Sequence, residues 1–225
     1  MSNTLFGGET LLATIPFADI VWYLSPYTLL LFSFAVIFTI LAIISRPERY
    51  VDTAFGTDGY YLKEIPLDQM RFQRFMAIAC GLAAMGASVT GDIFNFTLFS
   101  SLVGICCIGI VSGVKNKYVL QAAYEYGIVI MIAGVPLFGG AALIAATTGT
   151  LSIFELSAAR ALGAAVTAPL IAKLLLIVGV MGEGMAPFYI LKADIARAQG
   201  APYILNVCLI PVLVFLRVIE IVLTI

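Results

Sequence analysis

Seven ionisable side chains fall within or beside apolar runs: Glu125, Lys173, Glu183, Lys192, Asp194, Arg217 and Glu220. Charges placed there are expensive and mark ion or proton pathways in many membrane proteins. Glu125 lies in AAYEYGIVIM, Lys173 inside APLIAKLLLIVGVM, and Glu183 at the break Gly182-Glu183-Gly184. Lys192 and Asp194 follow in PFYILKAD, after Pro187. Arg217 and Glu220 are spaced i to i+3 and so share a helix face. Opposite charges on neighbouring helices can pass a proton or a field change along a row. The alternative is a set of static ion pairs that hold a bundle together. For Arg217 and Glu220 that alternative weighs more, because the last span ends close by and Arg can snorkel. Asp92 precedes an apolar run and reads as a helix N-cap.

Positioning such charges requires membrane-spanning elements. Of the 225 residues, 62% are hydrophobic and 11% charged, and the mean hydropathy is +1.07. This composition predicts an all-α polytopic transmembrane helix bundle, since backbone groups in hydrocarbon must be satisfied within the segment. About six spans and one half-helix are expected. After an amphipathic lead-in at Thr10–Trp22, the spans are Tyr27–Ser45, Phe75–Thr90, Ile93–Val114, Tyr118–Thr148 with a tilt or kink at Pro136, Ala158–Gly182 and Tyr203–Ile225. The half-helix is Pro187–Arg197, so a broken helix is expected near 182–187.

Several function classes drop out. The net charge is −1 and the basic residues are scattered, which leaves no nucleic-acid footprint. The chain has no His, which removes histidine ligation and a histidine proton shuttle. Cys80, Cys106, Cys107 and Cys208 lie in apolar runs without CxxC spacing and read as packing residues. Neither a metal site nor a cofactor-binding site nor a catalytic residue is expected in this chain. Met1 to Asp19 lacks the basic start of a cleavable signal peptide. Basic residues crowd the loop Arg46–Arg74 and recur at Lys115 and Lys117, while the opposite side has Arg160. The positive-inside rule then places the N-terminus outside and loop 46–74 in the cytoplasm. That loop also carries acids and tyrosines, so it reads either as a docking surface or as a solvated loop.

Four motifs carry a family resemblance. GDIFNFTLFSS (Gly91–Ser101) resembles the start of the fifth helix in the antiporter-like subunits of complex I and of multisubunit cation/proton antiporters. TGTLSIFEL (Thr148–Leu156) resembles the loop before their seventh helix. PFYILKAD (Pro187–Asp194) and the following Ala201-Pro202 resemble their broken-helix motif. The sequence departs from the pattern at its charges. Ser101 falls where the family has Glu, Gly182 or Glu183 where it has Lys, Tyr189 where it has His, and Glu125 where it often has Lys.

The resemblance implies a single antiporter-like five-helix repeat over 75–225. Residues 1–74 would add the lead-in, one leading helix and the mixed-charge loop. Family members with two inverted repeats carry the ion site at their interface, so other small membrane subunits are the expected source of the missing repeat. Short subunits of this kind imply a membrane-bound energy-converting [NiFe] hydrogenase of methanogenic archaea. Its nickel–iron centre and iron–sulfur clusters would sit in hydrogenase and ferredoxin-like partner subunits, and this chain would have no redox centre of its own. Lipid surrounds the bundle in the cell membrane. On this reading the chain helps move H+ or Na+. The alternatives are a scaffold that has lost conduction and a subunit of a cation/proton antiporter.

Overall fold

Residues 13–17, 20–45, 50–52, 62–64, 66–113, 117–162, 168–183 and 201–225 are described by a computed structural model. Among them the chain is an all-α polytopic helix bundle, with two small antiparallel hairpins beside it. The helices are α1 (Pro26–Ile44), α2 (Leu67–Val89), α3 (Ile93–Ser112), α4 (Lys117–Thr148), α5 (Ile153–Ala161), α6 (Leu170–Gly182) and α7 (Ala201–Thr224). Five of them, all but α5 and α6, are long and apolar enough to cross a membrane.

The amphipathic lead-in forms a β-hairpin, β1 (Ala13–Phe17) with β2 (Ile20–Leu24). Branched and aromatic residues in Ile20-Val-Trp-Tyr-Leu suit a pleated strand. Part of the mixed-charge loop also pairs as strands, β3 (Tyr50–Asp52) with β4 (Leu62–Glu64).

Helix α1 starts at a capping box: Thr28 N–H donates to the Ser25 hydroxyl, and Ser25 N–H donates to Thr28 Oγ1 at 2.8 Å. Asp92 caps α3 as expected, accepting from Asn95 N–H at 2.9 Å. Helix α2 begins at Leu67 rather than Phe75. Its first turns carry Asp68, Arg71 and Arg74, so the helix runs past the edge of its apolar stretch. Arg74 donates to the Ser45 carbonyl at 2.9 Å and so ties the start of α2 to the end of α1.

The expected fifth span, Ala158–Gly182, is not one helix. It divides into α5, which stops at Leu162, and α6, which starts after Pro169. Proline has no N–H to donate, so it suits the first turn of a helix and is disfavoured further in. Arg160 of α5 donates to the carbonyl of Leu223, which holds this short helix against the end of α7. The expected half-helix Pro187–Arg197 lies outside the described residues, as do Lys192 and Asp194.

The side-chain contacts set the directions of the helices. Thr39 meets Gly81, and Gly104 meets Ile130. Gly140 meets Ala172 and Leu176, Leu137 meets Gly179, and Ala133 meets Gly182. Each of the pairs α1/α2, α3/α4 and α4/α6 is therefore antiparallel. The starts of α1 and α3 share one end of the bundle with the finishes of α2, α4 and α7. We call this the Tyr23 end. The opposite, Arg74 end gathers the finish of α1 and the start of α2. Small residues make the approaches possible: a Cβ on Gly179 would stand 2.6 Å from Leu137 Cβ.

Candidate functional site

Helix α6 stops in the middle of the bundle. It enters from the Tyr23 end and finishes at Gly182, against Ala133 in the middle of α4. Glu183 is its C-cap, and the Glu183 N–H donates to the Gly179 carbonyl at 3.2 Å. The side chain then reaches α3. Ser101 Oγ donates to Glu183 Oε1 at 3.2 Å, and Ser100 Oγ donates to Oε2. Ser100 sits about 10 Å along α3 from its start and about 18 Å from its finish, at 1.5 Å per residue. The carboxylate is thus well inside the span, and Glu183 is only 4% exposed. Tyr126 Oη of α4 donates to the Glu183 carbonyl at 2.7 Å, which takes up one carbonyl that the ending helix leaves without an intrahelical partner.

The result is an oxygen-lined site made by α3, α4 and α6. The ending helix directs the negative end of its dipole toward it. Among the described residues no Lys or Arg pairs with Glu183. A buried carboxylate so placed has to bind a cation or a proton. Cys80 and Cys107 lie nearby in the core with their sulfurs 3.9 Å apart. Among the described residues, three or more His, Cys, Asp or Glu side chains nowhere gather to hold a metal ion.

The other candidates fall elsewhere. Glu125 is exposed on α4 and accepts from Gln121 Nε2 at 3.0 Å. Lys173 is half-buried on α6. Its neighbour Ala172 packs against Gly140, and the stretch of α4 from Glu125 to Gly140 is about 22 Å long. Glu125 and Lys173, on neighbouring helices and of opposite charge, therefore do not pair. Helix rotation is the reason: Ala123, Tyr126, Ile130, Ala133 and Leu137 face the core, and Glu125 faces away.

Arg217 and Glu220 do pair, 1% and 5% exposed, near the finish of α7. Arg217 also donates to the Thr90 carbonyl at 2.9 Å and lies 5.8 Å from the Tyr23 ring centroid. It ties the lead-in hairpin and the finish of α2 to α7. Sequence reasoning missed Ser100, Ser101 and Tyr126. Two adjacent serines in an apolar helix, and the apolar period that turns Tyr126 inward, were the available signals.

Residues 4–225 match the family NADH dehydrogenase I, subunit N related protein. The chain belongs to this family. Two uncharacterized proteins of Methanocaldococcus jannaschii are relatives. One is 44% identical over 216 residues, 96% of each chain. The other is 37% identical over 127 residues, which make up 53% of this chain and 25% of that longer protein. A chain in the structure of the membrane-bound sulfane sulfur reductase, an archaeal respiratory membrane complex, shares the fold. Its TM-score is 0.51 at 20% identity, covering 79% of this chain and 42% of that chain. This subunit N-related chain therefore spans less than half of that neighbour.

The departures from the antiporter-like pattern meet in space. Ser101 stands where the pattern has Glu, and Glu183 near where it has Lys. In this subunit N-related chain the two positions touch, with the acid on the opposite helix.

Proposed function

We propose that this chain is a non-catalytic membrane subunit of an energy-converting [NiFe] hydrogenase, one of the small antiporter-like membrane subunits of the type called energy-converting hydrogenase A. It helps couple H2 oxidation and ferredoxin reduction to the movement of H+ or Na+. The observation that carries this reading is the interrupted α6 with buried Glu183 held by Ser100 and Ser101. A helix ending at membrane depth leaves backbone carbonyls free to face an ion site. Family membership and the archaeal relatives supply the context. The partners are other small membrane subunits together with hydrogenase and ferredoxin-like subunits, which hold the nickel–iron centre and the iron–sulfur clusters.

Within this chain the work belongs to four side chains. Glu183 accepts and releases the cation. Ser100 and Ser101 hold its carboxylate across α3. Tyr126 fixes the Glu183 backbone by its bond to the carbonyl. Lys192 and Asp194, outside the described residues, are further candidates for the path. Lys173, half-buried on α6, biases the field along that helix.

The scaffold reading draws on a different observation: Glu125 and Lys173 are too far apart to relay charge. One variant separates the two readings. Glu183→Gln removes the charge and keeps the shape. In the assembled complex it should leave H2-dependent dye reduction intact and slow ion-coupled ferredoxin reduction by about tenfold or more, equivalent to about 1.4 kcal/mol of barrier. Unchanged coupled turnover would leave the scaffold reading in its place.

A further inference from the structure

We propose that the end of α6 is a sodium site, in which Na+ is held by the Glu183 carboxylate and the hydroxyl oxygens of Ser100 and Ser101. The proposal rests on the ion-coupling reading and names the ion. Each carboxylate oxygen has its own serine hydroxyl, Oε2 with Ser100 and Oε1 with Ser101. A carrier of protons alone needs one acceptor. Here two hydroxyl oxygens of α3 converge on a single buried carboxylate at the end of α6, and oxygen is the ligand type that hard cations prefer.

Charge count selects a monovalent ion. One carboxylate supplies one negative charge, and the end of α6 adds about half of one. Calcium takes 6–8 oxygens, with several carboxylates among them, and Mg2+ gives up its water reluctantly. Among the described residues the site has neither further Asp or Glu nor a Lys or Arg that would neutralise Glu183. The sodium charge then takes the place that a base would fill.

Binding requires the two hydroxyl protons to leave the carboxylate. Helical serines have a ready alternative acceptor, the carbonyl four residues earlier. For Ser100 that is Phe96, and for Ser101 it is Thr97. The hydroxyl oxygens thereby turn their lone pairs to the ion without losing a hydrogen bond. No covalent bond forms or breaks.

The test uses the assembled complex in native membranes, at one pH and constant ionic strength. A hydrophobic carbodiimide modifies protonated carboxyls in apolar surroundings, and mass spectrometry reads the adduct on Glu183. Replacing KCl by NaCl should lower modification of Glu183 about tenfold when Na+ reaches ten times its dissociation constant. Ser101→Ala should raise the Na+ concentration for half-protection about tenfold, the scale of one hydrogen-bonding contact to a charged group. Calorimetry on the purified complex supplies a second readout: saturable Na+ binding in the wild type that is absent in Glu183→Gln. Equal modification in both salts, or no saturable Na+ binding by the wild-type complex, would overturn the sodium site. If Glu183→Gln still uncouples the complex in that case, the conduction reading stands with the proton as its ion. If the variant pumps normally, the conduction reading falls as well.

Discussion

At the scale of single residues, two buried acids do different work. Glu183 meets two hydroxyls and no base among the described residues. Glu220 meets Arg217, which is also held by the Thr90 carbonyl and the face of Tyr23. A carboxylate paired with a permanently charged guanidinium has little freedom to exchange its cation. Arg217–Glu220 is therefore a clamp, which on the proposed reading leaves Glu183 as the group to exchange its cation. Removing one partner of a buried pair strands the other, at about 3–5 kcal/mol. Arg217→Met should lower the thermal midpoint of the purified complex, the direction expected from that loss. The double change Arg217→Met with Glu220→Gln should recover part of the loss. Full stability in the single variant would show that the clamp carries little weight. The sequence showed that Glu183 sits at a helix break and that Arg217 and Glu220 share a face. The apolar run around Glu125 did not reveal that the period of its neighbours turns it outward.

At the scale of elements, the break after Gly182 depends on the seating of α6. Gly179 lets α6 approach α4 until Leu137 fills the space beside it. A larger side chain must push the helices apart, because Leu137 Cα and N would lie 2.7 and 2.8 Å from the new Cβ. Overpacking of this kind costs about 1–3 kcal/mol and more when backbone must move. Gly179→Leu should therefore withdraw Glu183 from Ser100 and Ser101 and uncouple the complex even with every site residue intact. A coupled Gly179→Leu complex would mean that α6 tolerates displacement. Helix limits were legible wherever apolar runs were continuous, as in α1, α3, α4 and α7. The division of the expected fifth span was not, since a proline alone does not mark a helix end: Pro136 and Pro211 sit inside continuous helices. The lead-in hairpin was missed for a related reason. Short apolar stretches carry little sign of whether they will pair as strands.

At the scale of the whole molecule, the start of α1 and the finish of α7 meet at one end, where Tyr27 Oη donates to the Leu216 carbonyl at 3.2 Å. The positive-inside rule predicts that this end lies outside. Two exposed positions report on this directly. Leu162 follows α5, which is held at the Tyr23 end by Arg160, and Leu67 opens α2 at the opposite end. In intact cells Leu162→Cys should react with a membrane-impermeant maleimide, and Leu67→Cys should react only after lysis. The reverse pattern would invert the orientation. Family membership and five apolar helices put the chain among multi-pass membrane proteins. The central claim is that Glu183 carries the coupling. Its most direct test is the ion gradient formed per H2 consumed by inverted vesicles, with the wild type compared against Glu183→Gln. The variant should keep normal H2 consumption with an artificial acceptor while its gradient collapses. A gradient of wild-type size per H2 would contradict that claim.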